Sequence, residues 1–461
     1  VSVLHFKVNG REMRVRDVDP HTTLLAFLRG LGLTGAKEGC AEGECGSCVV
    51  AFVRAASPSR AQYEAVNACL VLLPAVDGAE ILTVEALEQG RALHPVQEAI
   101  VREGGSQCGY CTPGFVMSLF AHYYTSPRPS VERALSGNLC RCTGYRPLRD
   151  AGRSLPQVAA DDAFASRLAQ PAPVQASIDY AAAGVSFARP AQLAEALALR
   201  AAQPDATIVC GGTDVVVAIN QHGLRAQRFI AIDQVEELSH VRVEGEQLVI
   251  GACAPLTLLE RELVPRSPLF AQLLPLFASL PVRARASLGG NLVTASPIGD
   301  AAPVLLALDA ELELMSARGS RRLPIYDFFT GYRATDLAPD ELLAFIRVPR
   351  VEPAHARFYK VARRSLDDIS CVSAAFVLAL DDEGVVQRAR LAYGGVAETP
   401  KRAYAAEDAL VGQPLGRGLS ALATPLLDVS FTPIDDVRGS ASYRRLLVST
   451  LFERFVEEVC P

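Results

Sequence analysis

The sequence predicts a multidomain α+β protein in which a small β-rich unit, a helical unit and a larger two-part α/β region follow one another. Three observations carry this. The 461 residues exceed one ordinary core, and at about 100–200 residues per domain three or four domains are expected. The apolar pattern changes from alternation to helical spacing near residue 90 and becomes mixed beyond about 178. The twelve cysteines are uneven: eight fall in two groups of four, one in each of the first two units, with Cys210, Cys253, Cys371 and Cys460 apart.

Residues 1–85 open on VSVLHFKVNGREMRV, whose alternation around Asn9-Gly10 reads as a hairpin. A helix over 23–31, the loop GCAEGECGSC at 39–48 and a strand CVVAFV at 48–53 follow. Residues 86–155 read as short capped helices. Pro95 sits in the first turn before VQEAIV, which closes at Gly104-Gly105; Thr112-Pro113 opens GFVMSLFAHYY, and Ser130 caps VERALS, which stops at Gly137. Residues 156–178, rich in Ala, Pro and Gln without periodicity, read as an extended linker. Over 179–347 strands such as ATIVCGG, RFIAID and GEQLVIGA alternate with helices such as AQLAEALALRAA. Over 348–461 strand patterns in SAAFVLALDDEGVVQRARLAYGG precede an amphipathic helix at 441–459, as in a sheet with helices packed on one face.

Net charge is −6 and no basic run interrupts the mixed-sign surface pattern, so nucleic acid is not an expected partner. No apolar stretch approaches the roughly 20 residues of a membrane span. The opening residues lack the basic start and apolar core of a secretion signal, and a cytoplasmic protein is expected. In a reducing compartment clustered cysteines point to metal or redox chemistry rather than disulfides. The four scattered ones read as small buried apolar residues or inert thiols.

Cys40-x4-Cys45-x2-Cys48, with Cys69 twenty-one residues on, is the plant-type ferredoxin spacing for a [2Fe-2S] cluster. Gly39, Gly43 and Gly46 would let the backbone take positive φ and aim amides at the sulfurs. Zinc also takes four cysteines, but its structural sites mostly use two short knuckles, whereas three ligands here share one Gly-rich loop. Disulfides are the third reading. Glu38, Glu42 and Glu44 would tune potential or docking, or are solvated loop carboxylates. The second set, Cys108-x2-Cys111 and Cys140-x-Cys142, makes two pairs at helix ends, where the dipole favours thiolates. Its spacing suits zinc as well as a cluster.

The flanking residues narrow this. QCGYCTPGFVMS and GNLCRCTGYRP resemble the two signature segments of the helical iron-sulfur domain in the xanthine oxidase family of molybdenum hydroxylases. KEGCAEGECGSC and NACL resemble the family's ferredoxin-like domain, IVCGGTDV and SLGGNLVTASPIGD its two FAD-binding segments, and KRAY and DVRGSASYRR its C-terminal flavoprotein subdomain. The motifs run in family order over nearly the whole chain. The resemblance implies a β-grasp ferredoxin-like domain over 1–85, a helical-bundle [2Fe-2S] domain over 86–155, a two-part α/β FAD-binding domain over 179–347, and a C-terminal antiparallel sheet plus helices over 348–461. It makes Cys108, Cys111, Cys140 and Cys142 ligands of a second [2Fe-2S] cluster. The domain order, without a molybdopterin domain, is similar to that of the small iron-sulfur/FAD subunits of bacterial xanthine dehydrogenases.

No G-x-G-x-x-G follows a strand anywhere in the chain. The two Gly-Gly turns still offer what a diphosphate needs, backbone amides unobstructed by side chains. Ser287 and Thr294 add hydroxyl donors. The FAD contacts implied by the resemblance are Cys210, Gly211, Gly212, Thr213, Asp214, Val215, Phe277, Ser287, Leu288, Gly289, Gly290, Asn291, Asp300, Leu342 and Lys360. Phe277 and Leu342 also read as core residues, and Asp300 as a helix N-cap. Tyr332 and the loop 363–370 match segments flanking the flavin and would shape nicotinamide access, or form plain surface.

Clusters pass single electrons, NAD+ accepts two at once, and a flavin does both, so the set describes a converter. No catalytic residue is assigned in this chain, and none of its seven histidines stands in a metal-ligand spacing. Substrate oxidation is expected on a large molybdopterin-binding partner subunit that hydroxylates xanthine or hypoxanthine. Electrons would pass through the helical-domain cluster, the ferredoxin-type cluster and FAD to NAD+, with Cys142 and Gln107 nearest the pterin, in a dimer of heterodimers. The sequence leaves NAD+ and O2 open as acceptors. It also leaves three other readings: the equivalent subunit of an aldehyde or N-heterocycle hydroxylase, a stand-alone flavin-dependent ferredoxin reductase, and a zinc-stapled scaffold.

Overall fold

The opening alternation folds as a hairpin. β1 (Leu4–Val8) and β2 (Arg11–Val15) pair antiparallel around Asn9 at φ 52° and Gly10 at φ 76°, the two left-handed residues that a tight hairpin turn requires. The structure, a computed structural model, describes residues 3–88, 90 and 92–460; the first two residues of the expected hairpin and the final residue of the C-terminal region lie outside them. β3 (Val49–Ser57), β4 (Arg60–Asn67) and β5 (Glu80–Leu82) complete a sheet in the order β2-β1-β5-β3-β4, with β1 and β5 parallel. Helix α1 (Leu24–Gly30), capped by the Thr23 hydroxyl on the Ala26 amide at 3.1 Å, buries Leu24, Leu25 and Leu28 in the same core as Phe6, Phe52 and Ile81. This is a β-grasp.

The helices of the next unit start where their caps stand. α2 (Pro95–Arg102) begins at a reciprocal His94–Gln97 cap, α3 (Thr112–Tyr124) has Pro113 in its first turn, and α4 (Val131–Ala134) is capped by Ser130 but ends before Gly137. α5 (Arg146–Arg153) closes the bundle. The expected extended linker contains a short helix, α6 (Ala163–Leu168), capped by Asp162. Its Phe164 meets Phe120 and Tyr63, and its Arg167 pairs with Glu80 of β5 at 2.6 Å. Asp162 also accepts from Tyr124 at 2.9 Å, and the Tyr124 hydroxyl lies 3.0 Å from His94 Nε2. Burial of this aromatic face outweighs the linker-like composition.

A second sheet follows in the order β6-β7-β9-β8, built from β6 (Ile178–Ala182), β7 (Val185–Arg189), β8 (Thr207–Val209) and β9 (Arg228–Ala231), with β7/β9 and β8/β9 parallel. Helix α7 (Val215–His222) follows β8. All of this belongs to one compact unit, Val1–Ala196 with Asp205–Val235 and Ser279–Ala286.

The second unit comprises Leu197–Pro204, Glu236–Ala278 and Ser287–Pro461. Its first sheet is antiparallel throughout: β10 (Val241–Glu244), β11 (Gln247–Gly251), β12 (Glu311–Ser316), β13 (Gly319–Pro324) and β14 (Leu342–Pro349), in the order β10-β11-β14-β12-β13. Helices α8 (Leu288–Val293) and α9 (Ala301–Ala307) precede β12. Its second sheet is the expected C-terminal one, β15 (His355–Val361), β16 (Val372–Leu380), β17 (Val386–Gly394) and β18 (Lys401–Arg402). Helices α10 (Tyr404–Leu410), α11 (Gly418–Ser430) and α12 (Ala441–Val459) add Phe452 and Phe455 to a core around Phe376. Among the described residues no helix is long and apolar enough to cross a membrane.

Candidate redox sites

The first cysteine set converges on the loop between α1 and β3. The Cys45 amide points at the Cys40 sulfur at 3.4 Å and the Glu42 amide at 3.5 Å, while the Cys48 and Cys69 sulfurs lie 3.2 Å apart. Gly43 and Gly46 take φ of 88° and 65°, as the sequence predicts. Gly39 does not; its missing side chain leaves room for Cys45, whose sulfur would lie 2.8 Å from a Cβ there. Ala41 takes the third positive φ, 57°. Asn67, fully buried, ties the loop down by donating to the Gly43 carbonyl at 2.9 Å. The side chains of Glu38 and Glu42 are exposed.

The second set also draws together in pairs, Cys108 with Cys142 and Cys111 with Cys140. Only Cys111 stands at a helix end, the N-cap of α3. Cys140 and Cys142 lie in the loop before α5, where the Thr143 amide and hydroxyl reach the Cys140 sulfur at 3.4 and 3.1 Å. Cys108, Cys142 and Gln107 are exposed, whereas Cys48 and Cys69 are buried.

Both sets close in twos. Among the described residues no three His, Cys, Asp or Glu side chains converge on one metal-ion position. A binuclear cluster needs two thiolates per iron, unlike the four-on-one tetrahedron of structural zinc, so the donors fit [2Fe-2S] better. The thiols also divide their protons. The hydrogen bond from Cys40, helped by Ser47, holds Cys45 down to about 6 against its burial. Burial and the bond to Cys140 push Cys111 up to about 12.

The two cysteine loops touch through backbone. The Leu139 amide donates to the Cys45 carbonyl at 3.0 Å, and Asn138 Nδ2 to the Gly46 carbonyl at 3.2 Å. A Cβ on Gly46 would meet the Gly137 carbonyl at 2.1 Å, and one on Gly114 would meet the Gly46 carbonyl at 2.1 Å. On its other side the first loop meets α7: Asn220 donates to the carbonyls of Ala41 at 2.8 Å and Cys69 at 3.0 Å, and Gln221 to that of Cys40 at 2.6 Å. Sequence reading missed Asn67, Asn138, Asn220 and Gln221, because nothing local marks an amide side chain that reaches a backbone 24 to 181 residues away.

The segment after β8 is the first candidate flavin turn. Gly211 and Gly212 take φ of 91° and 83°, and a Cβ on Gly211 would lie 1.8 Å from the Arg285 carbonyl. Arg285 holds the turn by donating to the Gly211 carbonyl at 2.8 Å. Asp214 does not cap α7 with its side chain, so the amides that follow Thr213 and Asp214 are free of a side-chain cap, as a diphosphate requires. Cys210, Thr213 and Val215 are half-buried.

The second candidate segment belongs to the other unit. Ser287 caps α8 by accepting from the Gly290 amide at 3.1 Å. Gly289 serves packing rather than ligand approach, since a Cβ there would meet Ala252 at 2.5 Å. Gly290 is exposed, and Asn291 keeps a buried Oδ1 without a partner, a polar atom that a bound flavin nucleotide would satisfy. Thr294, expected as a donor, spends its hydroxyl on the Gly290 carbonyl at 2.9 Å. Asp300 occupies the N-cap position of α9 without capping it; instead it pairs with Lys360 at 2.8 Å and accepts from Ser370 at 2.5 Å. Lys360 donates further to the Leu276 carbonyl at 2.9 Å, beside half-buried Phe277. Leu288 and Leu342 are core residues. Tyr332 is 64% exposed, and the 363–370 loop is held by Arg364–Asp368 at 2.7 Å and by Arg363 on the Val437 carbonyl at 2.6 Å.

Comparison with known proteins gives four family matches in chain order: a 2Fe-2S iron-sulfur cluster binding domain over 6–74, a [2Fe-2S] binding domain over 83–153, the FAD binding domain of molybdopterin dehydrogenases over 182–351, and the CO dehydrogenase flavoprotein C-terminal domain over 357–459. The chain is 32% identical to xanthine dehydrogenase of Emericella nidulans, over 99% of its own length and 38% of that protein. Curated relatives matched in this way are thus much longer than this chain. Among solved structures, carbon monoxide dehydrogenase of Hydrogenophaga pseudoflava is 29% identical with a TM-score of 0.55, over 58% of this chain and 94% of that one. Quinoline 2-oxidoreductase of Pseudomonas putida 86 is 28% identical with a TM-score of 0.55, over 59% and 96%.

Proposed function

Since the chain belongs to the xanthine oxidase family of molybdenum hydroxylases and is its iron-sulfur and FAD electron-transfer part, we propose that it serves a xanthine dehydrogenase, carrying electrons from a molybdopterin-binding partner subunit to NAD+ in the cytoplasm. Bound clusters supply one-electron transfer, and FAD couples it to two-electron chemistry. The observation that carries this reading is the run of hydrogen bonds that ties the second cysteine loop to the first, through the Leu139 amide on the Cys45 carbonyl, and the first loop and Cys69 to α7, through the Asn220 side chain on the carbonyls of Ala41 and Cys69. In it Cys40, Cys45, Cys48 and Cys69 hold one cluster, and Cys108, Cys111, Cys140 and Cys142 the other. The exposed Cys108, Cys142 and Gln107 turn toward the partner. In one unit the amides around Gly211 and Gly212, and separately in the other Gly290 and Asn291, are the candidate FAD contacts.

The xanthine assignment is supported by a relative matched across nearly the whole chain. Quinoline 2-oxidoreductase among the structural neighbours favours a second reading, an N-heterocycle hydroxylase of the same design. Purifying the native complex tests both: the proposal expects flavin and iron-sulfur absorbance, two [2Fe-2S] EPR signals, a co-purifying molybdopterin chain, and xanthine turnover with NAD+ exceeding that with O2. Turnover of quinoline-like heterocycles alone selects the second reading. A protein that isolates without any molybdopterin chain overturns both in favour of a stand-alone reductase.

A further inference from the structure

We propose that Asn220, in the last turn of α7, is a positioning residue that makes the affinity for FAD depend on occupancy of the first iron-sulfur site. The inference rests on the reading that Cys40, Cys45, Cys48 and Cys69 hold a cluster and that the Gly211-Gly212 turn meets FAD. Asn220 Nδ2 commits both its protons to the cysteine segments, donating to the carbonyls of Ala41 at 2.8 Å and Cys69 at 3.0 Å. Gln221 adds a bond to the carbonyl of Cys40 at 2.6 Å. The other end of α7 continues from the flavin turn, whose Gly212 carbonyl accepts from the Val216 amide at 2.9 Å. One helix of eight residues therefore has the first cysteine loop at its C-terminal end and the flavin turn at its N-terminal end.

Two features make α7 a link rather than a passive neighbour. It does not hold its shape alone: its length is well short of the roughly 12–15 residues at which an isolated helix becomes even marginal in water, and the Asp214 side chain does not cap it. Its order comes from contacts. Val216 and Ile219 are buried in one core with Cys69 and Leu70, and Asn220, four residues after Val216, lies on the same face. The turn is also packed at backbone distance on the cysteine segment. A Cβ on Gly212 would lie 3.2 Å from the Leu70 carbonyl, and Leu70 in turn fills the space beside Gly43, where a Cβ would meet its side chain at 2.5 Å.

The sign of the coupling follows from the loop. It bends through positive φ at Ala41, Gly43 and Gly46, and glycine loses more freedom on ordering than any other residue. A metal centre bound through several side chains fixes such a loop, so that binding and local folding share one free energy. A filled first site thus holds the carbonyls of Cys40, Ala41 and Cys69 where Asn220 and Gln221 reach them, and FAD meets a turn that is already ordered. With the site empty, FAD binding must itself order the loop, α7 and the turn, which lowers the apparent affinity. Linkage makes the effect mutual, since bound FAD favours iron retention by the same factor. The two cofactors are then retained together, and a chain with an empty first site holds flavin weakly.

The test is a titration of the flavin-stripped full chain with FAD, followed by flavin fluorescence, with EPR establishing which clusters each sample carries. Cys45→Ser, which empties the first site, should weaken FAD binding about five- to twentyfold, within the usual range of coupling between sites. Cys111→Ser, which empties the second, should leave it within about twofold of wild type. Asn220→Leu removes both donors at similar volume. It should weaken FAD binding nearly as far as Cys45→Ser while the first-site EPR signal persists. The double variant should bind no more weakly than Cys45→Ser alone, because a contact that only transmits occupancy is silent once the site is empty. If Asn220→Leu does not fold, Gln221→Ala, at an exposed position, runs the same cycle with a smaller fall of about threefold. An FAD affinity in Cys45→Ser within about twofold of wild type, an equal fall in Cys111→Ser, or effects of the two substitutions in the cycle that add in full overturn the inference. Wild-type protein lacking two [2Fe-2S] signals, or lacking FAD, overturns instead the reading on which it rests.

Discussion

The amide of Leu139 donates to the carbonyl of Cys45 at 3.0 Å, so the residue before one proposed iron ligand is hydrogen-bonded to a proposed ligand of the other cluster. Two paramagnets joined so closely will interact. Reduced wild-type protein is expected to show two [2Fe-2S] EPR signals with mutually enhanced relaxation. Cys45→Ser and Cys111→Ser should each remove one signal and leave the survivor slow-relaxing. Loss of both signals in either variant would mean the ligands are mispaired.

Gly114 lies in α3, where alanine ordinarily stabilises a helix by about 1 kcal/mol. Here a Cβ would stand 2.1 Å from the Gly46 carbonyl. Gly114→Ala is expected to reverse the sign and cost about 1–3 kcal/mol, read as a lower Tm together with a perturbed first-site EPR signal.

The two glycines of SLGGN should separate folding from binding. Gly290→Val, at an exposed position, is expected to abolish flavin retention with little change in the Tm of flavin-free protein. Gly289→Val, against Ala252, should lower the Tm whether or not flavin is supplied. Equal flavin loss without destabilisation in both variants would show that both glycines face the cofactor.

Lys360 and Asp300 form a buried ion pair, 4% and 6% exposed at the side chain. Lys360→Met strands a buried carboxylate and is predicted to cost about 3–5 kcal/mol by chemical denaturation, while the double variant Lys360→Met/Asp300→Leu should recover much of the loss. A double variant no better than the single one would show that Lys360 matters chiefly through the Leu276 carbonyl.

Burial lowers both His94 and His122 from 6.5 to about 4, against Asp162 in the first case and reinforced by Arg128 in the second. The unfolded chain binds these protons first. Their contribution is intact above pH 6.5 and is lost progressively as pH falls toward 4, by up to about 3 kcal/mol per histidine. His94→Asn keeps an acceptor at the N-cap of α2 and removes one titration. Its stability should fall less steeply between pH 6.5 and 4 than that of wild type; an unchanged slope would exclude His94 as a source.

Spacing made the first cysteine set legible, and capping residues placed most helices within a few residues of where they form. Misreadings came where the deciding contact is distant. Gly39 was expected to supply a backbone angle and instead supplies room for a sulfur. Gly289 and Thr294 were expected to meet a ligand and instead serve α8. The stretch 156–178 has linker composition, yet Phe164 and Arg167 are claimed by Phe120 and Glu80. Asp162 ahead of AFASRL was a usable cap signal; nothing in the order of residues announces Asn138 or Asn220.

The bare backbone contact among Gly46, Gly114 and Gly137 constrains inheritance. Three segments from two folds meet there at backbone distance with the Asn138 side chain filling what space remains, so neither fold can drift at this seam without a matched change in the other. A recombinant that exchanges residues 1–85 alone for those of a distant ferredoxin should fail to assemble. Exchanging 1–155 as one cassette should assemble better, because this seam then travels whole and only the contacts with later segments, such as Asn220 and Gln221 on the first loop, are left to be matched.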